Sequence, residues 1–102
     1  REHLWNTYLD LTDSLSEGFF LQGYFAEAIR FCQKILQRDN CHEGAHRRLM
    51  KCYQGQGQRH LAVRQYHTCV QALADELGVV PSPETEALFR QLVGLNGTKV
   101  PT

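Results

Sequence analysis

The chain has no charge to spare. Eleven Lys and Arg residues are matched by 11 Asp and Glu, and the formal net charge is zero. A neutral domain exerts no long-range pull on nucleic acid or on an acidic membrane surface. No apolar run approaches the roughly 20 residues that a membrane-spanning helix requires. No secretory leader is legible either, since Arg1-Glu2-His3-Leu4-Trp5 reads directly as helix. The sequence does not open with Met, as expected of a piece of a longer polypeptide. A glycine-rich phosphate loop is missing, and no nucleophile stands beside a base in a recognisable motif. Neither catalysis nor a cofactor is therefore expected. Four cysteines, Cys32, Cys41, Cys52 and Cys69, could form a disulfide framework in a secreted chain. Their spacings are 9, 11 and 17, and three of them fall at core-facing helical positions. Buried, reduced thiols in a cytoplasmic protein are the expectation.

What the chain does have is an internal echo. At a fixed offset of 34 residues, Leu15 pairs with Leu49, Phe19 with Tyr53, Gly23 with Gly57 and Ala28 with Ala62. Cys32 likewise pairs with Tyr66, Ile35 with Cys69 and Leu36 with Val70. That period is the one of the tetratricopeptide unit, a pair of antiparallel helices that cannot bury its apolar faces alone and must stack on a neighbour.

Periodicity and end signals place five helices. The first is expected over about 4–21, with Leu4, Tyr8, Leu11, Leu15 and Phe19 on an inward face. Gly23 marks a turn, and a second helix over about 25–37 buries Ala28, Ile29, Cys32, Ile35 and Leu36. Asn40 is a candidate N-cap with Glu43 reaching back as a capping box, opening a third helix over about 41–54 that presents Ala45, Leu49, Cys52 and Tyr53. Gly55 and Gly57 supply the next turn. The fourth helix, about 59–77, carries Ala62, Tyr66, Cys69, Leu73 and Leu77, and Gly78 stops it. Ser82 as N-cap, Pro83 in the first turn and Glu84 near the positive helix end open a fifth helix over about 83–93, with Leu88, Phe89 and Leu92 inward. The fold class is all-α: tetratricopeptide-like stacked helical hairpins with a C-terminal capping helix. The domain is expected over 1–93 and a frayed tail over 94–102.

The segment Leu73-Ala74-Asp75-Glu76-Leu77-Gly78-Val79-Val80-Pro81-Ser82-Pro83-Glu84-Thr85-Glu86-Ala87-Leu88 departs from ordinary repeats of this kind. It resembles the end of the bacterial transcriptional activator domain, where the pattern L-x-x-E-L-G-V-x-P-S-P-E-T-x-x-L recurs. Gly44 to Tyr53, then Gly57 and Ala62-Val63-Arg64-Gln65-Tyr66, are similar to that family, as is Gly23 to Ile29 in the first hairpin. The likeness spans about residues 10–93 and is specific in the C-terminal motif. It implies the effector half of a regulator similar to the Streptomyces antibiotic regulatory proteins, in which a winged-helix DNA-binding domain precedes the helical domain. The sequence departs from the repeat pattern at Asn40, where Pro is usual, and at Gly18, inside a helix at a cost of about 1 kcal/mol relative to Ala.

His42-Glu43-Gly44-Ala45-His46 is a literal H-E-x-x-H, which on a helix could hold zinc with the Glu as general base. It sits at a helix start, where Glu43 has capping work, and Cys52 occupies the place where the extended zinc-protease pattern wants a third His. No metal site is expected. Arg47, Arg48, Lys51, Arg59 and Arg64 form a basic cluster, yet no aromatic residues interleave as a single-strand binder would want. Shifting Arg47 and Lys51 back by 34 lands on Asp13 and Glu17. The expectation is inter-repeat ion pairing along a shared concave wall, at about 0–1 kcal/mol per pair.

Acids at Asp13 and Glu17 also speak against the co-chaperone type of repeat that grips a chain-terminal carboxylate. The candidate partner-binding face is therefore Asp13, Glu17, Arg47, Arg48, Lys51 and Gln54, suited to a mixed-charge protein. Trp5, Phe20 and Phe25 are less clearly inward and form either a docking patch or, for Trp5, a lid on the first hairpin. The expected partners are proteins: the winged-helix domain of the parent chain, a second protomer or the transcription machinery. Direct contact with nucleic acid or membrane is not expected. A free-standing peptide-binding scaffold unrelated to transcription is the alternative.

Overall fold

The computed structural model describes residues 2–94, with side chains from Thr7 onward. The side chains of Leu4 and Trp5, and the tail from residue 95, lie outside the described residues. Five helices follow one another: α1 (Glu2–Leu21), α2 (Phe25–Arg38), α3 (Glu43–Gly55), α4 (Arg59–Leu77) and α5 (Pro83–Leu92). The first two and the next two form hairpins, and α5 packs on the second.

The 34-residue echo is a backbone fact. In the first hairpin turn the Tyr24 amide donates to the Phe19 carbonyl at 2.9 Å and the Gly23 amide to Phe20 at 3.0 Å. In the second, Gln58 donates to Tyr53 at 2.8 Å and Gly57 to Gln54 at 2.9 Å, the same pair of bonds moved by 34. Gly55 is not part of that turn. It closes α3, and a Cβ there would lie 2.6 Å from the Phe25 ring, so the glycine seats the ring that starts α2.

Burial repeats with the same period. Thr12 and His46, Ser16 and Met50, Ala28 and Ala62, Cys32 and Tyr66, Ile35 and Cys69 are buried at both members of each pair. Cys32, Ile35, Ala45 and Leu49 form one cluster between α2 and α3. Met50, Ala62, Tyr66 and Leu92 form another between α3, α4 and α5. Tyr66 and Phe89 stack with centroids 3.9 Å apart, and the Tyr66 hydroxyl donates to Glu86 at 2.8 Å. All four cysteines are free thiols, three of them buried.

Two sequence expectations fail in α1 and one in α4. Leu11 and Leu15 are 61% and 50% exposed, and the buried positions are Thr12 and Ser16. Small hydroxyl side chains let α1 approach its neighbours closely, and they satisfy themselves inside the helix. Thr12 donates to the Tyr8 carbonyl at 2.8 Å and Ser16 to Asp13 at 2.9 Å. Leu77 is exposed because α4 runs on past the elements that pack against it. Gly78 ends that helix at φ +67°, where its amide donates to Ala74 and the Val79 amide to Leu73. Only glycine takes this left-handed position without steric cost.

Candidate protein-binding groove

Along one side of the stack α1 meets α3 and α3 meets α5, whereas the backbones of α2 and α4 do not approach each other. The inner side of the curve is therefore built by α1, α3 and α5. Two adjoining cavities lie there. One, of about 250 Å³, is lined by Glu17, Phe20, Gly44, Arg47, Arg48, Lys51 and Glu84. The other, of about 230 Å³, shares Arg47, Lys51 and Glu84 and adds Ala87, Leu88 and Gln91 from α5. Of the six sequence-predicted face residues, Glu17, Arg47, Arg48 and Lys51 line these cavities. Asp13 stands behind them on Arg48, and Gln54 is exposed and lines neither.

Inter-repeat ion pairing is present, with different partners. Arg48 binds Asp13 at 2.6 Å and Glu17 at 2.9 Å, and its Nη1 also donates to the Ser16 hydroxyl at 2.6 Å. Burial disfavours the Arg48 charge, but the Asp13 bond and the surrounding carboxylates more than reverse this and raise its pKa. Arg47 reaches the other way, to the Thr85 hydroxyl at 2.9 Å and to Glu84 at 3.5 Å. Translation explains the discrepancy. Equivalent side chains on successive repeats point in the same direction, so they cannot face one another. Asp13 leans toward α3 as Arg47 leans toward α5, and the residue that receives Asp13 is the one beside Arg47.

The capping box is likewise replaced. The N-cap of α3 is His42, whose Nδ1 accepts the Ala45 amide at 3.0 Å. Glu43 looks away from its own helix: its Oε1 accepts from the Ser82 amide at 3.1 Å, the Ser82 hydroxyl at 3.0 Å and the Thr85 hydroxyl at 2.6 Å. Ser82 in turn caps α5 by accepting the Thr85 amide, as its sequence position predicts. Burial pushes the Glu43 pKa up, but the bonds from Thr85 and Ser82 and the Arg47 charge outweigh it, so the carboxyl sits below its ordinary range. Arg59 fastens the far end of α5 by donating to the Leu92 carbonyl at 2.5 Å.

The H-E-x-x-H imidazoles are occupied within the protein. His46 is buried, with Nε2 at 2.8 Å from the Asn40 carbonyl and Nδ1 at 2.8 Å from the Gln65 amide nitrogen. Burial is also the main reason its pKa is lowered, so it is held as a neutral ring. Among the described residues no group of three or more His, Cys, Asp or Glu side chains is placed to hold a metal. No helix of the described residues is long and apolar enough to cross a membrane.

A second surface lies on α1. Ser14, Leu15, Gly18, Phe19 and Gln22 line a shallow depression of about 160 Å³ on α1, beside the exposed Leu11. Shifted by 34, Leu11, Leu15 and Gly18 become Ala45, Leu49 and Cys52, all buried in α3. The depression is the packing face of a repeat helix with nothing described upon it. Phe20 and Phe25, by contrast, lie against each other at 5.9 Å and are half-buried.

Against known proteins, the chain matches the family model described as bacterial transcriptional activator domain, over residues 1–93. No curated protein and no solved structure matches it.

Proposed function

The chain belongs to the bacterial transcriptional activator domain family, and from that premise we propose that it is the effector half of a bacterial transcription regulator, working by protein–protein contact in the cytoplasm. The family is regulatory, and the match over residues 1–93 is the observation that carries the reading. DNA reading falls to a separate winged-helix domain of the parent chain, and this domain touches proteins only: that domain, a second protomer or the transcription machinery. It is not an enzyme.

The geometry supports contact through the exposed face of α1. Leu11, Leu15 and the bare backbone at Gly18 repeat a face that α3 buries against α2. A helix laid across them would stand where α2 stands relative to α3. Exposed apolar area of this kind, rimmed by Ser14 and Gln22, is the usual mark of a protein contact.

Fusing residues 1–102 to an unrelated DNA-binding domain tests the proposal, with a reporter placed downstream of that domain's operator. Reporter output above that of the unrelated domain alone is expected. The double variant Leu11→Glu, Leu15→Glu should abolish the gain while leaving the helical circular dichroism intact. No gain from the unmodified fusion would overturn the reading and favour a free-standing scaffold.

A further inference from the structure

We infer that the groove between α1, α3 and α5 takes a protein segment presenting one carboxylate side chain beside a bulky aliphatic one. The inference rests on the protein-contact reading above and names the chemistry of one partner.

The charges of the groove decide the first half. Of the three cations on α3, Arg48 is fully engaged by Asp13, Glu17 and Ser16. Those two acids share that single guanidinium, so this end of the groove keeps a net negative charge and turns a carboxylate away from Arg48, toward Lys51. Arg47 is held on one side by Thr85 at 2.9 Å and by Glu43 at 3.9 Å, but its other terminal nitrogen has only Glu84 at 3.5 Å, and that carboxylate is 74% exposed. Lys51 makes no ion pair among the described residues and stands 5.9 Å from the Phe20 ring. Arg47 and Lys51 are four residues apart on one helix, hence neighbours on one face. After all internal pairing, the groove offers one spare cation and one loosely held guanidinium edge. That is a place for a single carboxylate, which would take over the position of Glu84.

The adjoining cavity decides the second half. It begins at the same Arg47 and Lys51 and continues over Ala87 and Leu88, so a side chain entering it meets aliphatic carbon. A carboxylate fixes orientation and an aliphatic neighbour supplies the apolar burial, the usual division of labour at a recognition site. A nucleic acid strand fits poorly. Successive phosphates would run against Glu17 and Glu84 on the rim, and only one cation is free to release counterions.

The test is a two-dimensional amide NMR titration of the 102-residue chain with the capped peptide Ac-GELLG-NH2, its glutamine counterpart Ac-GQLLG-NH2 and a 12-nucleotide single-stranded DNA. The first peptide should give saturable shifts at Lys51, Leu88 and Gln91 with millimolar affinity. The glutamine peptide should bind about threefold to fivefold more weakly, the range of one exposed charge pair. Lys51→Glu, at an exposed and unpaired position, should leave the melting temperature unchanged and weaken the first peptide by at least about tenfold. Glu84→Gln should tighten it about twofold to threefold by clearing the resident acid from Arg47, an effect that a merely structural role for Glu84 would not give.

Equal titration by both peptides would overturn the inference. So would shifts confined to residues 11–22, stronger binding of the DNA, or no shifts up to about 5 mM peptide. The outcome is separable from the function proposed above. A chain that drives the reporter but ignores these peptides keeps its effector role and loses this groove. One that binds the peptides but drives no reporter does the reverse.

Discussion

Helices α1 and α3 present the same face in two conditions. On α3, Ala45, Leu49 and Cys52 are buried, the first two in one cluster with Cys32 and Ile35 of α2. On α1 the equivalent Leu11 and Leu15 are exposed and Gly18 is only half-buried, although the adjoining face, Thr12 and Ser16, is as buried as His46 and Met50. The difference shows that a repeat helix needs two neighbours, its hairpin partner and the second helix of the preceding unit. The other end of the stack is closed: α5 covers the second hairpin through Leu88, Phe89 and Leu92 and is bolted to α3 by Glu43, Ser82 and Thr85. One end is finished within the described residues, and the other has its packing face prepared.

The sharpest way to break that comparison is to truncate the paired leucines. Leu49→Ala should cost about 2–4 kcal/mol of unfolding free energy, from lost transfer plus cavity. Leu15→Ala in the same chain should change it by no more than about 0.5 kcal/mol. Urea melts of the two variants decide, and similar losses would mean that the α1 face is already covered.

At the closed end, Thr85→Val keeps the shape but removes the hydroxyl that donates to Glu43 and accepts from Arg47. A loss of about 1–3 kcal/mol is expected, because two partners are left short inside a mostly buried network. A smaller loss would show that water or Ser82 takes over. The same network predicts a pH effect. The folded-state pKa of Glu43 lies below its ordinary 4.5, so its contribution is complete above that value and is lost as pH falls through the lower folded one. Stability measured from pH 6 downward should decline less steeply in Glu43→Gln than in the unmodified chain.

Gly78→Val tests the hinge into the closing helix. At φ +67° a β-branched side chain should cost about 1–2 kcal/mol, seen as a lower melting temperature, and no change would mean that this turn relaxes freely. The smallest effect has the opposite sign. A Cβ at Gly18 would meet nothing within 4 Å, so Gly18→Ala should stabilise the chain by about 0.5–1 kcal/mol in thermal unfolding. In the reporter fusion the same methyl should lower output, since it stands where a partner helix would lie.

The helices were legible because their signals are local. Ser82 before Pro83 and Gly78 after Leu77 are read within a turn, and the echo from Leu15 to Val70 fixes the stacking. Apolar periodicity sets Leu11 and Leu15 on one face, but their exposure is read only from the packing around α1. The buried Thr12 and Ser16 look like surface residues in a sequence, since back-bonding to their own helix leaves no trace in composition. Glu43 illustrates the limit for the groove. Its capping-box spacing is local, whereas the partners it takes, Ser82 and Thr85, lie 39 and 42 residues away. Likewise the register brings Asp13 and Glu17 to α3, but only the direction in which side chains lean selects Arg48 over Arg47.

That direction is the core of the account: the hairpins are related by translation, so each first helix grips the next with unlike positions. Double-mutant cycles on Asp13, pairing its alanine variant in turn with Arg48→Ala and Arg47→Ala, measure it directly. The coupling with Arg48 should be about 1 kcal/mol and that with Arg47 within about 0.3 kcal/mol of zero. Strong coupling of Asp13 to Arg47, with none to Arg48, would contradict it.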